Sequence, residues 1–293
     1  MKKLTFAMLG MTLFLFIGIT FFTDPTVANT IDREDNSREV YLNIITCNKL
    51  QYEMVKSISG DRHNIEFMFG NEYESKEFEY TDETISNISN MDLFIYSGNS
   101  LEPWSSSLID KLKKGNLGII NLSRGIRAIT TQTDKENIDN PYYWNGVDEY
   151  KIALYNIKSA IQDRDPKNRN IYENNYNESI KRIDECIKGY NEKKADLKDY
   201  VFISIDDTMD YFYRSLGISV IKVTKDMPFE DVINENRDDF DKIVVLKDSE
   251  TEFEYEGYKV VNLERYSKSI SAEELLINNF KNFYEIIPSS DNK

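Results

Sequence analysis

The sequence predicts an α/β protein of two lobes, each a parallel sheet with flanking helices, joined by one long helix. Two observations support this fold class. Short apolar runs alternate with helical patterns in both halves of the chain, and such alternation is typical of parallel βαβ units. A single helical pattern about thirty residues long separates the halves, and 40% of the residues are hydrophobic, enough to bury a core in each lobe.

The first half forms the predicted N-terminal lobe, residues 40–165. Its predicted strands are residues 41–46, 65–69, 93–96 and 117–122. Its predicted helices are residues 49–59, 81–90 and 104–113. Because parallel strands need long crossover connections, we expect these helices to cover both faces of the sheet.

The second half repeats the alternation and forms the predicted C-terminal lobe, residues 199–287. Its predicted strands are residues 200–204, 219–223, 242–246 and 259–262. Its predicted helices are residues 207–215, 229–237 and 272–286. The acidic and aromatic stretch at residues 248–258 is interpreted as a surface loop or an edge strand, and residues 288–293 as a tail.

The linking helix is predicted over residues 166–198. Apolar and aromatic residues recur there at the spacing of one helical face, with charged residues on the other face. They are Ile171, Tyr172, Tyr176, Ile180, Ile183, Ile187 and Tyr190. At 1.5 Å per residue the rod spans about 45 Å. A rod of that length predicts limited closure between the lobes.

The N-terminus carries a targeting signal. Two lysines precede an uncharged apolar run, and a small-residue site ends at Ala28, which is typical of a signal peptide over residues 1–28. The run is also near the length of an uncleaved membrane anchor. We therefore expect an exported protein, at the cell surface or secreted, with residues 29–39 as a tether. No cysteine lies near residue 28, so a lipid-modified N-terminus is not expected.

Charge and composition exclude several functions. Lys and Arg number 36 against 51 Asp and Glu, which gives a formal charge of −15 that repels nucleic acids. One histidine and two cysteines exclude His-rich zinc sites and Cys₄ clusters. No phosphate loop, dinucleotide fingerprint or nucleophile elbow is present, so an enzyme is not expected. Cys47 and Cys186 are interpreted as small buried residues, with a disulfide as the alternative.

Four segments resemble the zinc/manganese-type solute-binding proteins of ABC importers, known as cluster A-I. Residues 52–61 are similar to the family's first helix. Residues 91–104, MDLFIYSGNSLEPW, resemble its most characteristic motif, and residues 121–126 its following strand and turn. Residues 165–183 resemble the start of its backbone helix. The likeness covers about residues 40–285.

The resemblance implies two Rossmann-like lobes on a helical backbone, an ABC permease as partner and a monomer. It also implies zinc or manganese held by three histidines and a carboxylate. In this sequence the three histidine positions carry Lys76, Tyr142 and Asp206, and no Asp stands near residues 270–271, where the family has its carboxylate. The scaffold is therefore matched, but the metal ligands are not.

The altered site leaves three possibilities open. Lys76 and Asp206 can form an ion pair across an empty cleft, or the two can join Tyr142 in holding a small polar or zwitterionic ligand. A hard cation such as calcium or manganese is the third possibility, with possible cleft neighbours at Glu77, Glu79, Asp206, Asp207 and Glu264.

Two more residues near the motifs have structural interpretations. Trp144 matches a family position beside the site and is expected mainly to pack in its wall. His63 matches no family ligand and is interpreted as a solvent-facing histidine in a turn.

The favoured function is an extracytoplasmic solute-binding protein with a degenerate metal site, whose ligand has changed or been lost. The alternative is an adhesin or interaction protein on the same scaffold, without a transport role.

Overall fold

The computed structural model describes residues 39–70, 74–98, 101–132, 137–236, 242–253, 256–267 and 270–286. The chain divides into Met1–Val40 and Tyr41–Lys293, and the elements below belong to the second unit. The predicted signal or anchor, nearly all of the tether and the tail at residues 288–293 lie outside the described residues. Within the described part of the chain, no helix is both long and apolar enough to cross a membrane.

The first sheet has four parallel strands in the order β2-β1-β3-β4. They are β1 (Asn43–Asn48), β2 (Asn64–Phe69), β3 (Leu93–Tyr96) and β4 (Gly118–Asn121). The connecting helices are α1 (Lys49–Ser59), α2 (Asp82–Ser89) and α3 (Ser105–Lys111). The chain places β2 and β3 on opposite sides of β1, so this sheet reverses its strand order between β1 and β3.

Helix α1 shows how the sequence sets these elements. Asn48 caps it by accepting a hydrogen bond from the backbone N–H of Gln51 at 3.0 Å, and the Gln51 side chain accepts one in return from the N–H of Asn48. This reciprocal pair satisfies donors that a helix start leaves free. Leu50, Met54 and Ile58 then face the core from one side of the helix.

Two elements before the linking helix were absent from the predicted set. A hairpin pairs β5 (Thr130–Gln132) with β6 (Asn137–Asp139) in antiparallel register. After a 3₁₀ turn at Tyr143–Asn145, helix α4 covers Val147–Arg164. Three of its buried residues are polar, namely Glu149, Lys158 and Gln162, which obscures the apolar stripe that identifies a helix from sequence.

The linking helix α5 covers Arg169–Lys193. Short 3₁₀ segments at Pro166–Asn168 and Lys194–Asp199 extend it at both ends, so the whole stretch matches the predicted 166–198 closely. Tyr172, Ile183 and Tyr190 are buried along it.

The second sheet has four parallel strands in the order β10-β9-β7-β8. They are β7 (Val201–Ser204), β8 (Val220–Lys222), β9 (Ile243–Asp248) and β10 (Lys259–Leu263). Its helices are α6 (Asp210–Leu216), α7 (Phe229–Glu235) and α8 (Ala272–Ile286). This sheet reverses its strand order between β7 and β9. Two parallel sheets joined by one long helix confirm the predicted fold class; the exact lobe limits stay a prediction.

One hydrophobic core runs through both lobes. Ile44 of the first sheet, Tyr172 of α5, and Phe212 and Phe280 of the second lobe belong to a single cluster of buried residues. Helix α5 packs against α1, α4 and α8. The linking helix is therefore part of the core rather than a bare connection.

The interpretation of His63 as a solvent-facing histidine is wrong. Its side chain is 1% exposed. Nδ1 accepts from the backbone N–H of Leu42 at 3.5 Å, and Nε2 lies 2.9 Å from the Tyr172 hydroxyl, which donates to Asp165. Tyr172 lies 109 positions further along the chain, so the local sequence around His63 carried no sign of this partner.

Both cysteines are free thiols, so the structure contains no Cys47–Cys186 disulfide. Cys47 is fully buried and Cys186 half-buried. Burial raises the pKa of the Cys47 thiol well above its usual value, which keeps it protonated and unreactive.

Stability should fall in acid partly because of His63. Burial lowers the pKa of His63, and this outweighs the opposing effects of Asp165, of the backbone hydrogen bond at Arg62 and of Asp92; the charge of Arg62 lowers the pKa to a smaller extent. The folded state therefore resists a proton that the unfolded chain accepts below about pH 6.5. We expect the free energy of unfolding, measured by urea titration, to fall more between about pH 7.5 and about pH 5.5 in the wild type than in His63→Gln. Equal losses would contradict this role for the histidine.

Candidate functional site

The two lobes meet where their strand order reverses and strands end in polar residues. Ligands of α/β proteins bind outside the carboxyl ends of parallel strands at such points. In the first lobe, Ser97 and Gly98 follow β3, and Asn121 ends β4. In the second lobe, Asp206 follows β7 and Asp248 ends β9.

Asp206 is bonded within its own lobe. One carboxylate oxygen accepts from the backbone N–H of Thr208 at 2.9 Å and the other from the N–H of Asp248 at 2.9 Å. Burial raises the pKa of Asp206, with a further rise from the charge of Asp248, while the backbone hydrogen bonds oppose it. Neither oxygen bonds to Lys76, so the Lys76–Asp206 ion pair, one of the three possibilities left open by the sequence, is not formed between these described residues.

Asp248 is the neighbouring carboxylate and is 1% exposed. One oxygen accepts from the backbone N–H groups of Glu250 and Thr251, both at 2.8 Å. The other accepts from the Thr208 hydroxyl at 3.0 Å. Asp206 and Asp248 thus fix the ends of β7 and β9 against each other.

Arg265 supplies a positive charge at this position. Its Nη1 lies 3.5 Å from Oδ2 of Asp248 and 3.0 Å from Oε2 of Glu250. The guanidinium carbon lies 5.8 Å from the centre of the Tyr142 ring, within the range of a cation–π contact. Its side chain is 16% exposed. Arg265 was not among the predicted site residues, and no motif marks it.

Tyr142 and Trp144 stand on the opposite lobe. The backbone N–H of Tyr142 donates to Oδ1 of Asn140 at 2.9 Å. The Tyr142 ring meets Trp144 edge to face at 5.5 Å. Trp144 is buried in the core, whereas Tyr142 is half-buried and faces Arg265.

Three of the remaining predicted positions lie at the surface of the first lobe. Lys76, Glu77 and Glu79 are exposed, in or beside the turn of residues 74–77. That turn is fixed at Ser75, whose hydroxyl donates to the carbonyl of Leu101 at 2.9 Å and whose carbonyl accepts from Trp104 Nε1 at 2.6 Å.

Asp207 and Glu264 are held by local partners. Asp207 accepts from Lys222 Nζ at 2.7 Å. Asn279 bonds the backbone N–H and carbonyl of Glu264, at 2.6 and 3.0 Å. Of the predicted residues, the structure places Asp206 and Asp207 side by side and Tyr142 close to their lobe. Within the described ranges, no three His, Cys, Asp or Glu residues are grouped so that they could hold a metal ion.

A hydrogen-bonded seam joins the lobes beside these residues. Asn140 Nδ2 donates to the carbonyl of Asp207 at 2.6 Å, and the Tyr211 hydroxyl donates to the carbonyl of Asn140 at 3.2 Å. Asn145 Nδ2 donates to the carbonyl of Thr208 at 2.9 Å. The loop around Asn140 is therefore fixed directly on the start of α6.

A cavity of about 410 Å³ opens next to the seam. Most of its walls come from the ends of β3 and β4 and from the loop before Asn140, and α6 contributes Tyr211. The lining residues are Tyr96, Ser97, Gly98, Leu101, Ser106, Asn121, Ser123, Ile126, Ala128, Asp139, Asn140, Pro141, Tyr143 and Tyr211. None of these residues was among the predicted site residues, although polar residues directly after predicted parallel strands indicate such a ligand site.

Glu102 lies beneath this cavity and is fully buried. It accepts hydrogen bonds from the backbone N–H groups of Ser97 and Gly98 at 3.1 and 2.8 Å, and from Gln51 at 3.1 Å. Burial raises the pKa of Glu102 to about 7. The carboxyl group fixes the loop that lines the cavity.

The sequence matches the family model described as ZnuA, zinc-uptake complex component A, periplasmic, over residues 44–238. The chain belongs to this family. Its members are solute-binding receptors, so the prediction of a non-enzymatic protein is confirmed, as is the resemblance to the zinc/manganese-type receptors.

Individual relatives are distant. The high-affinity zinc uptake system protein ZnuA of Bacillus subtilis is 25% identical over 195 residues, which are 62% of this chain and 60% of that protein. The manganese ABC transporter substrate-binding lipoprotein PsaA of Streptococcus anginosus is 24% identical over 226 residues, 74% of this chain and 70% of PsaA. The match thus spans less than two thirds of the Bacillus relative.

Solved structures show the same fold. The Mn-bound periplasmic metal binding protein of Candidatus Liberibacter asiaticus gives a TM-score of 0.65 at 19% identity, covering 84% of this chain and 100% of that one. The metal-dependent lipoprotein YcdH of Bacillus subtilis gives a TM-score of 0.67 at 20% identity, and the match covers 83% of this chain and 98% of YcdH. A mutant of the laminin-binding adhesin Lmb of Streptococcus agalactiae gives 0.66 at 17% identity, covering 84% and 100%.

Removing the Asn140 side chain should loosen the seam. Asn140→Ala deletes the part-buried hydrogen bonds to the Asp207 carbonyl and from the Tyr142 N–H, so we expect a loss of about 1–3 kcal/mol in the free energy of unfolding. Urea titration measures it. The exposed helical Asn87 is the matched control, and Asn87→Ala should change stability by less than about 0.5 kcal/mol. Equal effects of the two substitutions would show that Asn140 does not hold the lobes.

Proposed function

We propose that the chain is the exported receptor of an ABC importer whose cleft does not hold zinc or manganese through the family's ligand positions. Family membership and relatives named as substrate-binding proteins of metal ABC transporters support the receptor role. An ABC permease is the expected partner and a monomer the expected state. The apolar segment within residues 1–28 supports export.

The position of Arg265 is the observation that carries the proposal. A guanidinium already lies between Asp248 and Tyr142, where it balances Asp248 and Glu250 at the end of β9. A divalent cation brought to Tyr142 and Asp206 would be repelled by this charge, and repulsion at a few ångströms is strong in a partly buried site.

The donor set also opposes a transition metal. Zinc prefers imidazole and thiolate ligands, and Lys76, Tyr142 and Asp206 offer neither. Both oxygens of Asp206 are already bonded to backbone N–H groups. A metal at Asp206 would have to use the remaining lone pair of an oxygen whose position is already set by these bonds at the ends of β7 and β9.

A changed ligand explains the molecule better than an adhesin does. The likeness to Lmb is 17% in sequence and concerns the fold alone. The polar cavity beside the seam gives the cleft a place for a solute. Genes for a permease and an ATPase next to the gene of this chain would support transport, and their absence would favour the adhesin.

The full chain should not bind zinc or manganese tightly. Because Arg265 and the missing imidazoles disfavour a dication, we expect neither metal to bind at one ion per chain with submicromolar affinity. Isothermal titration calorimetry and thermal shift measure this. Such binding of either metal would overturn the proposal.

Restoring imidazoles should restore zinc affinity. The triple variant Lys76→His, Tyr142→His, Asp206→His should bind zinc, and adding Arg265→Ser should tighten binding at least about tenfold by removing the opposing charge. A control variant with histidines at the exposed positions Lys114, Tyr155 and Asp163 should gain no zinc affinity.

Folding of these variants is checked by circular dichroism. Asp206 fixes two strand ends, so the double variant Lys76→His, Tyr142→His keeps Asp206 as a possible oxygen ligand. If neither folded variant gains zinc affinity over the control, these residues are not the family's ligand positions.

A further inference from the structure

We propose that the cavity beside the Asn140 seam binds a neutral, hydroxyl-rich solute the size of one or two sugar rings. The inference rests on the proposed function, since it names the class of ligand for the same receptor cleft. The site is displaced from Lys76 and Asp206, neither of which lines the cavity.

Size and position agree with a ligand site. The cavity volume of about 410 Å³ falls in the range of about 300–1,000 Å³ typical of small-molecule pockets. Its floor is formed by residues that follow β3 and end β4, at the carboxyl edge of a parallel sheet, where α/β proteins hold ligands. Tyr211 closes it from the second lobe, so a bound solute would contact both lobes.

The charge of the walls excludes most ions. No Lys or Arg is among the described residues that line the cavity, so an anion would lose its hydration without gaining a counter-ion. Asp139 is the one carboxylate among them, and hard divalent cations require more oxygen ligands than a single carboxylate and amides provide. A neutral polar solute avoids both costs.

The polar groups are held in place before a ligand arrives. Oδ1 of Asn121 accepts from the backbone N–H and the hydroxyl of Ser123 at 2.9 and 2.8 Å. Oδ1 of Asp139 accepts from Thr130 at 3.1 Å. Amide and carboxylate groups can each bond two neighbouring hydroxyls, and side chains already fixed lose little entropy on binding.

Three tyrosines supply apolar wall. The hydroxyls of Tyr143 and Tyr211 are bonded to Ser97 at 2.8 Å and to the Asn140 carbonyl at 3.2 Å. The Tyr96 ring is stacked on Phe94 at 5.7 Å. Rigid rings next to amides and a carboxylate combine apolar surface with directed hydrogen bonds, which suits a sugar ring with its C–H faces and hydroxyl edge.

The test titrates the full chain with glucose, galactose, mannose, ribose, maltose, sucrose and myo-inositol, by calorimetry and thermal shift. We expect at least one to bind at one molecule per chain, with affinity unchanged by added salt because the ligand is neutral. Asp139→Asn should weaken that binding about tenfold, since a hydrogen bond to a charged acceptor is replaced by one to a neutral amide.

Ala128→Trp provides the structural control. Ala128 is exposed and lines the cavity, so a bulky side chain fills the space without touching the core and should abolish binding. The neighbouring Arg127 is exposed and does not line the cavity, so Arg127→Trp should bind as the wild type does.

Each negative outcome has a separate meaning. If no member of the panel binds, or if Ala128→Trp binds as tightly as Arg127→Trp, the inference about this cavity is overturned while the proposed receptor role stands. If the wild type binds zinc or manganese tightly, the proposed function fails as well.

Discussion

The direct bonding of the Asn140 loop to helix α6 is the constraint on which the cleft depends. The side-chain amides of Asn140 and Asn145 donate hydrogen bonds to backbone carbonyls of the other lobe, and the Tyr211 hydroxyl donates one to the carbonyl of Asn140. These bonds sit beside a core that continues through α5. Opening the cleft would break buried hydrogen bonds and expose core surface together, so the lobes form one unit around a fixed site rather than a hinged pair.

Positively charged side chains lie where a bound metal ion would otherwise neutralise the acidic residues of the cleft. Arg265 lies against Asp248, and Lys222 lies against Asp207 and Asp210. The Arg265–Asp248 and Lys222–Asp210 pairs are partly buried, so their net contribution to stability is small after desolvation, but removing one partner would leave an uncompensated charge. These pairs matter more for the proposed function than for stability, because side chains that neutralise the acidic residues reduce the attraction of the cleft for a dication.

The sequence predicted the fold from local patterns that the structure keeps. Strand runs and the stripe of α5 depend on neighbours a few residues away, which a single sequence displays directly. Helix α4 was not predicted because the buried residues Glu149 and Lys158 interrupt its apolar stripe. Glu149 pairs with Arg214, and Lys158 pairs with Glu173. His63 was misjudged for the same reason: Asp61, Arg62 and Asn64 around it are typical of a turn, whereas Tyr172 and Asp165 determine its burial.

The candidate site was harder to predict because alignment to a ligand position does not show what a side chain bonds to. Asp206 was predicted from the resemblance to stand at one of the family's ligand positions, and in the structure its two oxygens fix backbone N–H groups at the ends of β7 and β9. In the other lobe, Glu102 likewise accepts hydrogen bonds from two backbone N–H groups after β3. Both carboxyl groups have pKa values raised by burial, and both stand where the strand order of their sheet reverses. The two lobes thus use a buried acid as a loop support, and a solute entering the cleft meets the loops these acids hold rather than the acids themselves.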